Sequence, residues 1–330
     1  MLSSTIGALN EATNALSKQT DPYRLTPSKI GHIDRGVNKL PTATRVQILG
    51  MMVEGMSIRA IARLTGASKN TVVKFLREAG DACAAYQDET LRGLTCKRIQ
   101  VDEIWSFVGM KQKNVPAGRK GEFGVGDVWT WTAIDADTKL NVSWLLGDRT
   151  AATATEFMVD LASRLSSRVQ ITSDGHKAYL EAVEEAFGSD VDYAQLVKLY
   201  GEAPEAQKRY SPAECVGCKT EVVTGSPDPA HISTSYAERA NLTMRMGMRR
   251  FTRLTNAFSK DAENHAHSIA IHFMFYNFAR IPQTLRVTPA MAAGVTGKLW
   301  ELADIVAMID AAAPPPSKRG PYKKRGQVAA

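Results

Sequence analysis

The sequence predicts a mixed α/β protein, with a small all-helical unit leading into a mixed sheet and its flanking helices. Three observations predict it. Capped segments with helical apolar spacing fill residues 42–97, strand-like runs rich in Val, Ile, Thr and Trp begin at Arg98, and strands then alternate with helices. At 330 residues the chain is long enough for about two domains. Its 44% hydrophobic content is enough to bury a sizeable core.

The division expected is a polar arm over 1–41, punctuated by Pro22, Pro27 and Gly31, then a helical unit over 42–97 that includes a connecting helix from 82. A mixed domain follows over 98–313, with an insertion around 190–232, and 314–330 forms a disordered basic tail opened by three prolines. The net charge of +7 is unevenly placed. Residues 1–100 carry 14 Lys/Arg against 8 Asp/Glu, and 314–330 carry five basic residues and no acidic one, which leaves a mildly acidic middle. Basic ends suit a polyanion and an acidic middle suits a cation site, although uneven surface charge alone gives the same distribution. No apolar run of about 18 residues is present, so no membrane partner is expected. Four cysteines and the absence of a secretory pattern over Met1–Lys18 point to a reducing cytoplasm.

In the helical unit, Thr42 is positioned to cap a helix ending near Gly55, Ser57 a second (IRAIARL), and Ser68 a third (KNTVVKFLREA), with Thr65-Gly66-Ala67 as the turn. Ala62, Gly66, Val72 and Phe75 meet the packing needs of a helix-turn-helix. Lys69, Asn70 and Thr71 would then open a helix entering the major groove of duplex DNA, with Lys74 and Arg77 nearer the phosphates. A helical bundle without a DNA role is the competing reading.

Farther on, Arg98–Val108, Val128–Ile134 and Leu140–Leu146 read as strands, the last two joined by the hairpin turn DADTK. Thr153–Ser166 reads as a helix, Val169–Thr172 as a strand and His176–Phe187 as a helix. This order is compatible with a ribonuclease H-like sheet. Three acids stand out: Asp102 inside the first strand, Asp174 after the fourth, and Glu238 at a helix start. Each also has an ordinary explanation. Glu238 stands three after Ser235 and can complete a capping box, and Asp174-Gly175 can be a turn. Strict alternation puts Asp102 with Gln100 and Ser106 on the less apolar face, and leaves Glu103 as its competitor.

The segments VDEIWSFVG, SDGHKAYL, STSYAERANLTMRMGMRRFTRLTNAFSK and FYNFARIPQTLRVTPA carry a resemblance covering roughly residues 98–300. With them the chain resembles bacterial insertion-sequence DDE transposases of the Insertion-Sequence-One family. The resemblance implies a ribonuclease H-like catalytic domain in which Asp102, Asp174 and Glu238 are the catalytic and metal-binding triad. It implies Mg²⁺ or Mn²⁺, two ions per site, with a basic residue seven after the Glu, here Arg245. Two ions about 3.5–4 Å apart assist phosphodiester transfer, and such hard cations take carboxylate oxygens. On a helix Glu238, Asn241 and Arg245 share one face. Arg249 and Arg250, with Arg239 and Arg253, are expected on DNA phosphate.

The activity so implied is strand cleavage at element ends and transfer to target DNA, by a homo-oligomer of at least two copies in the bacterial nucleoid. A catalytically inactive DNA-binding regulator and a nuclease without strand transfer are the alternatives. Other residues are expected to be structural. Cys215 and Cys218 are half a zinc site in a loop-like insertion, with His231 the nearest His in sequence. His265, His267 and His272 lack the i, i+4 metal spacing, and Trp105, Trp129, Trp131 and Trp144 read as core. His176, two residues after Asp174, is a lesser candidate for touching substrate, with a structural role favoured.

Overall fold

The structure is a computed structural model describing residues 39–122, 124–201, 215–252 and 255–313. The arm up to residue 38, the basic tail, Arg253 and part of the insertion lie outside the described residues.

Three helices open the described chain: α1 (Thr42–Val53), α2 (Ile58–Thr65) and α3 (Lys69–Thr90). Ser57 accepts from Ala60 N–H and Ser68 from Thr71 N–H, so both serine caps form as expected. Gly66 closes α2 at φ 70°, the left-handed conformation that glycine adopts without strain. At α1 the cap position falls on Pro41 and Thr42 is the first helical residue, with no side-chain cap. The expected separate connecting helix is absent, because α3 runs unbroken through Gly80. Gly80 faces His267, and a Cβ there would lie well within 3.0 Å of it. The glycine marks a close helix crossing, not a helix end.

The sheet has strand order β3-β2-β1-β4-β5-β6. β1 (Arg98–Val108), β2 (Gly126–Asp135) and β3 (Asn141–Gly147) form an antiparallel meander. β4 (Val169–Asp174) lies parallel to β1, and β5 (Val191–Tyr200) parallel to β4. The crossovers are α4 (Ala151–Arg164, capped by Thr150) and α5 (Ala178–Phe187). A mixed sheet in this order, flanked by helices and preceded by a helical region, is a ribonuclease H-like fold. β6 (Cys215–Thr224) adds an antiparallel edge where the sequence reads as a loop; its side chains are exposed almost throughout and give no alternation to read.

Both faces of β1 are covered, which explains why its apolar residues fail to alternate. On one face Ile99 and Val101 join Trp131, Phe157, Leu161 and Tyr179 in a core that continues into α1, α2 and α3. On the other, Ile104 and Val108 pack with Met244, Ile269 and Phe273 from α6 (Ser235–Gly247) and α7 (Ala262–Met274). Each such side chain contributes about 1.5–3 kcal/mol by leaving water. α7 continues as a π-turn over Phe275–Ala279, and α8 (Pro289–Ala292) and α9 (Leu302–Ala311) follow. α9 is fastened to α1 by a forked Arg45–Asp310 pair at 2.6 and 2.7 Å.

The histidines are packed as expected. His265 is fully buried between Ser106 Oγ at 3.1 Å and Ser259 Oγ at 2.7 Å, His267 meets Asp81 at 2.9 Å, and His272 stacks on Tyr276. Trp131 is fully buried, whereas Trp105, Trp129 and Trp144 are only partly so. No helix among the described residues is long and apolar enough to cross a membrane.

Candidate metal centre

β1 pairs with β4 only from Arg98 to Gln100, and beyond that point the two strands part. Asp102 and Glu103 stand on β1 where the strands part, and Asp174 ends β4. One carboxylate oxygen from each of the three lies within 4.8 Å of the others. Adjacent residues on a strand point to opposite faces, and the partners obey that rule. Asp102 accepts from Asn241 Nδ2 of α6 at 2.8 Å. Glu103 turns the other way, accepting from Tyr179 Oη of α5 at 3.0 Å and from Arg149 Nε at 2.7 Å. The gap between strands lets both carboxylates reach Asp174 from either side.

The electrostatics follow from this crowding. Burial, then the charges of Glu103 and Asp174, push the Asp102 carboxyl up to about 7, against the bonds from Glu103 N–H and Asn241. Burial and Asp174 likewise raise Glu103, while Arg149 and Tyr179 oppose the rise. Such oxygen-only donors, too close to ionise comfortably together, fit a hard divalent cation that would relieve their repulsion. Asn241 Oδ1 is buried without a hydrogen-bond partner beside this centre.

Asp174 Oδ1 accepts from His176 N–H at 3.0 Å, which fixes the turn after β4. The His176 ring stacks on Trp131 with centroids 5.9 Å apart. Glu238 stands outside the three-acid group. Its Oε1 takes Lys198 Nζ of β5 at 2.5 Å and Thr234 Oγ1 at 2.7 Å. Burial raises its carboxyl, but Lys198 and Thr234 outweigh burial and hold it below the ordinary value. The Ser235–Glu238 capping box does not form. The start of α6 is tied instead to β1, through Gln100 Oε1, which accepts from Tyr236 and Ala237 N–H at 2.7 and 3.2 Å.

The residues expected on DNA fall into different settings. Lys69 and Asn70 are exposed at the start of α3, Thr71 is bonded to Ser68, and Lys74 is half-buried beside Glu78. Arg77 donates to Asn264 Oδ1 of α7 at 2.9 Å, so it joins two helices. Asn241 is buried at 2% exposure as the partner of Asp102. Arg249 is exposed and Arg245 half-buried. Arg250 donates to Ser259 Oγ at 2.8 Å, and burial lowers its pKa to about 10. Arg149, Tyr179, Lys198 and Gln100 are contacts that sequence reading does not find, since each joins residues far apart in sequence.

No family model matches the chain, and no curated protein matches it. Among solved structures it is similar to the piggyBac transposase in a synaptic complex with hairpin DNA, at 12% identity over 86% of this chain and 74% of that one, with a TM-score of 0.36. It is also similar to the protein of a pre-cleavage Mos1 transpososome, at 12% identity over 82% and 83%, with a TM-score of 0.24. Both scores are low, and the chemistry of the centre rests on its own side chains.

Proposed function

We propose that this chain is a DDE-type transposase resembling the Insertion-Sequence-One family, which cleaves DNA strands at element ends and transfers them to target DNA. The convergence of Asp102, Glu103 and Asp174 where β1 and β4 part, with α6 bonded to Asp102, is the observation that carries the reading. Asp102 and Asp174 would hold Mg²⁺ or Mn²⁺, two ions per site, with Glu238 as the third carboxylate once it leaves Lys198. Bound ions would supply Lewis acidity to the attacking oxygen and the leaving oxygen of a phosphodiester. Asn241 orients Asp102, and Arg149 and Tyr179 hold Glu103 in place beside the other two acids. Arg245 and Arg249 are assigned to DNA along α6 and after it, and Lys69, Asn70, Thr71, Lys74 and Arg77 to duplex DNA at the helix-turn-helix, while Arg250 is held inward by Ser259.

In this reading residues 42–97 bind the element ends and 98–313 carry the chemistry. The protein acts as a homo-oligomer of at least two copies, in the bacterial cytoplasm. The position of Glu238, off the three-acid group, favours one second reading: a metal-dependent nuclease using Asp102, Glu103 and Asp174 without strand transfer.

The test is Mg²⁺-dependent cleavage and joining of a duplex bearing the native element end, comparing wild type with Asp174→Asn, Glu103→Gln and Glu238→Gln. The proposal expects Asp174→Asn and Glu238→Gln to bind DNA but neither cut nor join, while Glu103→Gln retains joining. Hydrolysis without joined product, lost in Glu103→Gln and kept in Glu238→Gln, supports the nuclease instead. An Asp174→Asn variant as active as wild type sinks both.

A further inference from the structure

β6 is the outer strand of the sheet, bonded among the described residues only to β5. Its side chains are exposed on both faces, and Val216, Val222 and Val223 all stand in solvent, Val216 at 69% exposure. An edge with open backbone donors and acceptors, and apolar side chains on both faces, is a template for another strand. From Gly217 to Val222 it pairs with β5 in unbroken register, so the outer side of this stretch is regular enough to accept one.

The order of residues along β6 names the occupant. Lys219 and Glu221 flank Thr220 at 66% and 56% side-chain exposure, and their charged ends lie 3.8 Å apart in a loose pair on one face of the strand. Suppose a second β6 runs antiparallel to the first, about a two-fold axis at Thr220. Each Lys219 then faces Glu221 of the second copy, Thr220 faces its counterpart, Cys218 faces Val222 and Gly217 faces Val223. Opposite charges, paired threonines and paired small or apolar groups are favourable cross-strand neighbours. Moving the axis to Lys219 or to Glu221 sets like charges directly opposite each other, which is unfavourable. Moving it by half a step sets Lys219 against Thr220 or Val222 and leaves the charges unmatched. The charge pattern therefore selects one register, as a two-fold contact between identical strands requires.

We propose that β6 pairs antiparallel with β6 of a second copy of this chain about an axis at Thr220, so that the two sheets join edge to edge. The proposal rests on the self-association described above and not on the metal chemistry. Sedimentation of the full chain without DNA measures it directly. Wild type sediments as a dimer, and Lys219→Glu or Glu221→Lys alone, each placing like charges opposite, weakens the dimer roughly tenfold. The double variant Lys219→Glu/Glu221→Lys restores it, because the exchange recreates opposite pairs on both sides of the axis. Both side chains are exposed, so thermal melts of all three variants should match wild type. A monomeric wild type overturns the proposal. So does a dimer indifferent to both single reversals, which would leave self-association standing on another surface. Neither result bears on cleavage, which is assayed separately.

Discussion

Lys198 Nζ lies 2.5 Å from Oε1 of Glu238, and this contact turns the third candidate carboxylate away from the other two. α6 presents Asn241 to Asp102 and, one turn earlier, Glu238 to β5. Releasing Glu238 should therefore help it reach an ion held by Asp102 and Asp174. The pair is partly exposed, and such pairs contribute roughly 0.2–1 kcal/mol, so Lys198→Ala should tighten Mn²⁺ binding roughly two- to fivefold. Calorimetry without DNA reads this directly. Weaker binding in the variant would mean that Glu238 does not join the ion.

Asp102 predicts a pH dependence of stability in metal-free protein. Its carboxyl is raised from 3.8 to about 7, so the native state holds that proton more tightly than the unfolded chain. The stability it contributes is full below pH 4 and is lost as the pH rises through 7. Asp102→Asn should remove this loss and stabilise metal-free protein at pH 8 by about 1–2 kcal/mol, less than the full shift because Asn accepts with only one oxygen. Mg²⁺ should raise the melting temperature of wild type most above pH 7, and leave that of the variant unchanged. Equal Mg²⁺ effects on both proteins would remove Asp102 from the ligand set.

Much of this centre can be read in the sequence, and what cannot has physical causes. Ser57, Ser68 and Gly66 act locally, so caps and turn are visible in a few residues. Asp102 and Asp174 are legible because a charged residue inside or ending an apolar strand is conspicuous. The choice between Asp102 and Glu103 is not legible. Both faces of β1 are buried, alternation is lost, and the parting of β1 from β4 brings the two side chains to one place. Lys198 and Gln100 act across 40 and 136 residues of sequence, where no spacing rule applies. β6 escapes notice because an exposed edge strand lacks the apolar alternation that marks a half-buried one.

The cations of α3 expected on DNA separate into Lys69, which is free of other elements among the described residues, and Arg77, which is partly exposed but bonded to α7. Lys69 is exposed at the start of α3, and Arg77 is bonded to Asn264 of α7. Lys69→Ala should weaken duplex binding and reduce the slope of log affinity against log salt by up to about one, the loss of a single positive charge from the groove-facing end of α3. Arg77→Ala should lower the melting temperature, because it leaves Asn264 without its donor, and should change the salt slope less. Fluorescence anisotropy across a salt series, beside thermal melts, distinguishes the two. Unaltered DNA binding in both Lys69→Ala and Lys74→Ala would favour a helical bundle with no DNA role.

Gly80 decides whether the helical unit α1–α3 and the sheet behave as one body. Within a helix, Gly→Ala ordinarily stabilises by about 1 kcal/mol through propensity. At Gly80 the added methyl would fall well within 3.0 Å of the His267 Cβ and backbone Cα, so no side-chain rotation relieves the clash. Overpacking of this kind costs about 1–3 kcal/mol, which exceeds the propensity gain. The move it forces also pulls His267 from Asp81, now 2.9 Å away. Gly80→Ala should therefore lower the melting temperature, whereas Gly→Ala at an open helical site would raise it. The same variant should also loosen α3 from α7, read as faster amide exchange along both helices with little change in the strands. A raised melting temperature would mean that α3 does not lie against α7, and that the helical unit is free of the sheet.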